Sequence, residues 1–152
     1  MAQVALAALH LIALGLGLGA VIQRGTALRE IPDALSVRRV FRADMLWGIA
    51  ALLWIITGVA RYAGSFEKAT TYYNGNTFFK AKMVMLLIII VLELGPMAKL
   101  MAWRREIHRG GSPTVVVVPG TARLIATISH LQALLIVLMV VAATAMSRGY
   151  NF

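Results

Sequence analysis

Four apolar stretches punctuate the chain: Val4–Ile22, Met45–Ala60, Met83–Ala98 and Leu124–Met146. A helix needs roughly 17–25 residues to cross the hydrocarbon of a bilayer. The first and last stretches reach that length outright. The middle two are shorter, but Trp47, Tyr62, Phe78, Phe79 and Trp103 lie where interfacial aromatics would extend or anchor them. The pattern predicts an all-α fold, a bundle of four transmembrane helices spanning about residues 4–22, 44–62, 80–101 and 122–146. These belong to a single integral membrane domain, 1–152, with no repeat period and no soluble second domain.

The connections carry signals of their own. Ile31-Pro32-Asp33 opens a segment expected to form a short helix feeding span two, with Pro32 in its first turn. Tyr72-Tyr73-Asn74-Gly75-Asn76 is turn chemistry. Gly110-Gly111-Ser112-Pro113 should end the basic extension of span three, and Val115–Val118, between two prolines, reads as an extended strap. The first apolar stretch has no Lys or Arg before Arg24 and is long for a signal sequence, so it is read as a retained helix.

Composition agrees with the pattern. Apolar residues make up 60% of the 152 and charged residues 14%, against roughly 25% charged in a soluble domain. So small a body could not hide that much apolar surface from water. The chain has no cysteine, which excludes disulfides, iron–sulfur clusters and thiolate-bound zinc.

The net charge of +9 comes from 15 basic and 6 acidic side chains. The cations sit between the apolar runs rather than along one face, which argues for membrane orientation and against nucleic-acid binding. Connection one holds Arg24, Arg29, Arg38, Arg39 and Arg42, and connection three holds Lys99, Arg104, Arg105, Arg109 and Arg123. Arg61, Lys68, Lys80, Lys82 and Arg148 fall on the other side. By the positive-inside rule, connections one and three face the cytoplasm and both termini lie outside, on the periplasmic side of a bacterial inner membrane.

Polar groups inside the spans are the informative ones, because each costs a few kcal/mol unless satisfied. They are His10, Lys80, Lys82, Glu93, His130 and Gln132, with Asp44 at the edge of span two. Tracing each span's direction gives two layers: an outer one of His10 with Lys82 or Lys80, and an inner one of Glu93, His130, Gln132 and Asp44. The two histidines are then about 10 Å apart along the membrane normal, too far to ligate one iron. His10 reads either as a haem or metal ligand or as a histidine bonded to a neighbouring helix. Lys82 reads as a second ligand, a propionate partner or a snorkelling surface cation. Glu93 and His130 read as a proton relay or as an interhelical hydrogen bond.

Two other patterns have plainer readings. Gly15, Gly17 and Gly19 mimic a nucleotide-binding loop, but they lie inside a membrane helix with no strand before it. Gly15 and Gly19, four apart, are expected to let a neighbouring helix approach. Gly95-Pro96 should kink span three. Met83, Met85, Met97, Met101, Met139 and Met146 suit Cu(I), but they scatter over several depths and read mainly as packing.

The run Tyr73–Met83, Trp103-Arg104-Arg105, Arg42–Gly48, Thr57–Arg61 and the ending Ala145–Tyr150 resemble an uncharacterised family of bacterial four-helix membrane proteins. A remoter resemblance is to HemJ-type protoporphyrinogen oxidases and CopD-type copper-resistance membrane domains. Leu9-His10 is similar to the HemJ histidine position, and Phe79-Lys80-Ala81-Lys82-Met83 to its aromatic-x-x-Lys motif, which selects Lys82. Arg38–Phe41 is similar to a basic stretch before the next span. The motif that follows the histidine in HemJ is replaced here by Leu11–Gly19.

The resemblance implies haem b bound by His10, as ligand to the iron, and by Lys82, in a membrane oxidoreductase with Glu93 and His130 moving protons. The residues equally allow a carrier or resistance protein for copper or another small solute. They also allow a non-enzymatic helper subunit, within a homo-oligomer or a larger membrane complex.

Overall fold

The computed structural model describes residues 1–30, 34–64 and 74–150. Ile31-Pro32-Asp33 and Tyr72-Tyr73 lie outside the described residues. The helices given in full by the described residues are, in chain order, α1 (Ala2–Arg29), α2 (Ala34–Ala63), α3 (Thr77–His108), α4 (Pro113–Val116) and α5 (Pro119–Ser147). Among the described residues there is no strand. The fold is all-α, and α1, α2, α3 and α5 are each long and apolar enough to cross a membrane.

Each long helix overruns the apolar stretch that announced it. α3 has 32 residues, about 48 Å at 1.5 Å per residue, where the hydrocarbon needs about 30 Å. The surplus turns carry the charged flanks. Arg38, Arg39 and Arg42 thus ride on the first turns of α2 itself, rather than on a separate helix feeding it. Pro96 lies within α3 without ending it.

The helix ends have local causes. The Asn76 side chain caps α3 by accepting from the backbone N–H groups of Phe78 and Phe79 at 3.0 and 3.3 Å. Gly110 closes that helix with φ +99°, a conformation that suits glycine. Pro113 and Pro119 open α4 and α5, where a missing N–H costs nothing. Val115 and Val116 therefore belong to a single helical turn, which corrects the expected strap; extended backbone is confined to Val117 and Val118.

The long helices form a ring in the order α2–α1–α5–α3. α1 packs along α2 and α5, α5 packs along α3, and the α2 and α3 backbones largely stay apart. Side chains bridge that last seam near both ends. Tyr62 stacks on Phe79 with ring centroids 5.6 Å apart, and the Arg104 guanidinium lies 5.0 Å from the centre of the Phe41 ring.

Inside the ring are two apolar cores. One holds Leu28, Val40, Leu100, Trp103 and Ile125, with Val117 plugging its end. The other holds Ala13, Val21, Trp47, Trp54, Ile89 and Ile136. Trp47 and Trp103, expected at the bilayer interface, are 3% and 7% exposed and pack in these cores.

Glycine packing also differs from expectation by half a turn. Gly15 and Gly19 face open space, whereas a Cβ on Gly17 would stand 3.3 Å from the Trp47 ring. The buried face of α1 runs Ala13, Gly17, Ala20, Val21, Arg24 and Leu28, so the small residues that admit α2 are those in register with Gly17.

Candidate functional site

That register carries an arginine into the centre of the bundle. Arg24 follows Gly17 by seven residues, two turns along the same face, and its side chain is 0% exposed. A guanidinium has five N–H donors, and each has a partner. Nε donates to Ser129 Oγ at 3.0 Å. Nη1 donates to Asp44 Oδ1 at 3.0 Å and Glu93 Oε1 at 2.6 Å. Nη2 donates to Glu93 Oε2 at 2.8 Å and Gln132 Oε1 at 2.9 Å. One side chain of α1 thereby ties α2, α3 and α5 together.

The partners are satisfied in turn. Gln132 Nε2 donates to Glu93 Oε2 at 2.9 Å and to the Ile89 carbonyl at 3.2 Å. The Ser129 hydroxyl donates to the Ile125 carbonyl. Among the described residues no buried side-chain nitrogen or oxygen lacks a partner. In lipid, where apolar burial drives little helix association, such a cluster acts as interhelical glue.

The charges do not cancel within the central trio, which sets one guanidinium against two carboxylates. A second guanidinium stands at the margin, Arg104 at 3.7 Å from Asp44 Oδ2, and it also donates to the Phe41 carbonyl at 3.4 Å. Asp44 and Glu93 keep 18% and 21% of their side-chain surface exposed, unlike Arg24.

The sequence placed Glu93, Gln132 and Asp44 in one inner layer, and the structure brings them together. His130 stays apart. Its Nδ1 bonds to the Ala126 carbonyl of its own helix at 2.7 Å, its ring packs on Gly25, and no hydrogen bond joins it to Glu93. Arg24 was missed as a site residue because the apolar run ends at Ile22, which assigned it to connection one. Two signals could have found it: the small-residue stripe continues into it, and two of the six acids lie in spans and require a cation.

His10 has both ring nitrogens engaged. Nε2 accepts from Trp54 Nε1 at 3.1 Å, and Nδ1 pairs with Thr57 Oγ1 at 2.9 Å. Thr57 Oγ1 donates to the Leu53 carbonyl at 2.7 Å. The consistent assignment is a neutral imidazole protonated on Nδ1.

Lys82 is half-buried, in the second turn of α3. Counting from the Tyr62–Phe79 stack, Lys82 lies about 4.5 Å and Thr57 about 7.5 Å along their helices, so Lys82 and His10 share a level to within about one turn.

Haem iron requires a free imidazole nitrogen, and His10 as placed offers none. A gap beside Trp54, between Ala13, Gly17, Trp47 and Ile136, is too small for a water molecule. Among the described residues no three His, Asp or Glu side chains converge as a metal-binding group.

A family model described as a predicted membrane protein, DUF2214, matches residues 2–151. No curated protein and no solved structure matches the chain.

Proposed function

We propose that this chain, which belongs to the DUF2214 family of membrane proteins, is a proton-linked carrier of a small cationic solute, with Arg24, Asp44 and Glu93 as its coupling centre. The observation that carries this reading is the surplus negative charge: two carboxylates share one fully buried guanidinium yet remain partly exposed. Ionisable groups inside a membrane bundle characteristically mark ion paths and proton relays.

The chemistry follows from charge balance. With both carboxylates ionised, the trio carries one negative charge, which Arg104 offsets from 3.7 Å. A proton on Glu93 or Asp44 cancels the same charge and releases Arg104. A cationic solute does so as well, so proton and solute exclude one another at a single site. The orientation that the cations suggest, with both termini outside a bacterial inner membrane, belongs to this proposal. The haem-linked redox reading and its HemJ and CopD resemblances rank behind it, because His10 would first have to give up Trp54 or Thr57.

Vesicles that contain the purified protein and the pH dye pyranine test the reading. Sodium, copper(I) in a weak chelator and a quaternary ammonium ion serve as probes. Proton efflux driven by at least one of them, and absent from protein-free vesicles, is the expected result. No response to any probe, with correctly inserted protein, would overturn the reading.

A further inference from the structure

A second feature lies where the α2 and α3 backbones stay apart. A cleft of roughly 500 Å³ opens between the first turns of α2 and the last turns of α3. Arg38, Arg42, Arg104 and His108 line it, together with the apolar Phe41 and Met45. Among the described residues no acidic side chain lines it. Among the described residues, no hydrogen bond or ion pair engages the side chains of Arg38, Arg42 and His108.

We infer that this cleft binds the headgroup of an anionic phospholipid, with one acyl chain lying along the α2/α3 seam. Charge selects the headgroup. Three guanidinium groups converge on one concavity, two of them unpaired, and planar guanidinium forks match phosphate oxygens. Basic pockets between membrane helices at the headgroup level are the usual form of such sites.

Continuity with the bilayer selects a lipid over a free anion. Met45, which also lines the cleft, begins a stripe of exposed apolar side chains on α2, continuing through Ile49, Leu52 and Ile56 at helical spacing. A chain attached to the bound phosphate would lie along that stripe. Arg104 joins this site to the coupling centre, since it lines the cleft and also offsets Asp44.

The experiment is native mass spectrometry of the intact protein in mild detergent, with dioleoyl phosphatidylglycerol, dioleoyl phosphatidylcholine and inorganic phosphate as separate probes. Phosphatidylglycerol is retained, and the other two are not. The double variant R38Q/R42Q, which breaks no internal bond, weakens that retention about thirty-fold, at roughly one tenfold step and a little more for two surface cations. The control R105Q/R109Q removes equal charge outside the cleft and leaves retention unchanged. Equal retention of phosphatidylcholine, tight binding of phosphate alone, or equal weakening by the control would each overturn the inference. Circular dichroism that matches wild type keeps the R38Q/R42Q result interpretable, and loss of retention in a folded R42Q single variant supports the site independently.

Discussion

Arg24 and Glu93 face each other as a fork and its matching carboxylate, with Nη1 to Oε1 at 2.6 Å and Nη2 to Oε2 at 2.8 Å. The pair joins α1 to α3, which sit diagonally across the ring. Paired guanidinium–carboxylate bonds of this kind are short and directional. In the bundle interior they fix the rotation of both helices about their axes.

Removing the guanidinium should therefore cost more than a lost contact. Arg24→Ala leaves Glu93 without its guanidinium and Asp44 with only the marginal Arg104, and a broken buried pair typically costs about 3–5 kcal/mol. Unfolding in mild detergent followed by circular dichroism measures this. Arg24→Lys retains the charge but not the fork, so it should fall between wild type and Arg24→Ala. Equal stability of all three would refute the clamp.

Gly25 makes a sharper steric prediction. A Cβ there would stand 2.6 Å from His130 Cε1, and that ring is held by its bond to the Ala126 carbonyl. Gly25→Ala should lose about 1–3 kcal/mol, the usual cost of overpacking. His130→Ala in the same chain should restore most of the loss, because it removes the colliding ring. A double variant no more stable than Gly25→Ala would show that the strain lies elsewhere, at Ser129.

The glycine series separates register from mere composition. Gly17→Ala presses on Trp47 and should destabilise, whereas Gly15→Ala and Gly19→Ala enter open space. The latter two should be neutral or slightly stabilising, since alanine is the better helix former by up to about 1 kcal/mol. Thermal unfolding of the three single variants reads the order directly.

These cases mark how far the sequence was legible. Spans, class and the meeting of Asp44, Glu93 and Gln132 followed from apolar length and helix direction, because depth along a helix is simple arithmetic. Rotation about the helix axis did not follow. It depends on which face packs, so Gly17 rather than Gly15 meets Trp47, and Trp47 and Trp103 turn inward. The same blind spot hid Arg24. A cation two residues past an apolar run looks like a flank until the buried stripe is traced through it.

His10 carries a prediction of its own. Protein purified from haem-replete cells should show no Soret band that depends on His10, because both imidazole nitrogens are engaged by Trp54 and Thr57. A band present in wild type and lost in His10→Ala would restore the redox reading.

The most direct test of the coupling centre is Glu93→Gln in pyranine-loaded vesicles. Glutamine keeps the side-chain shape and one acceptor oxygen, turns the other acceptor into a donor, and removes the surplus negative charge that the mechanism requires. The account predicts a variant that still inserts, less stable than wild type because the Arg24 pair is broken, and that shows no cation-driven proton movement. Undiminished proton movement in that variant would contradict it.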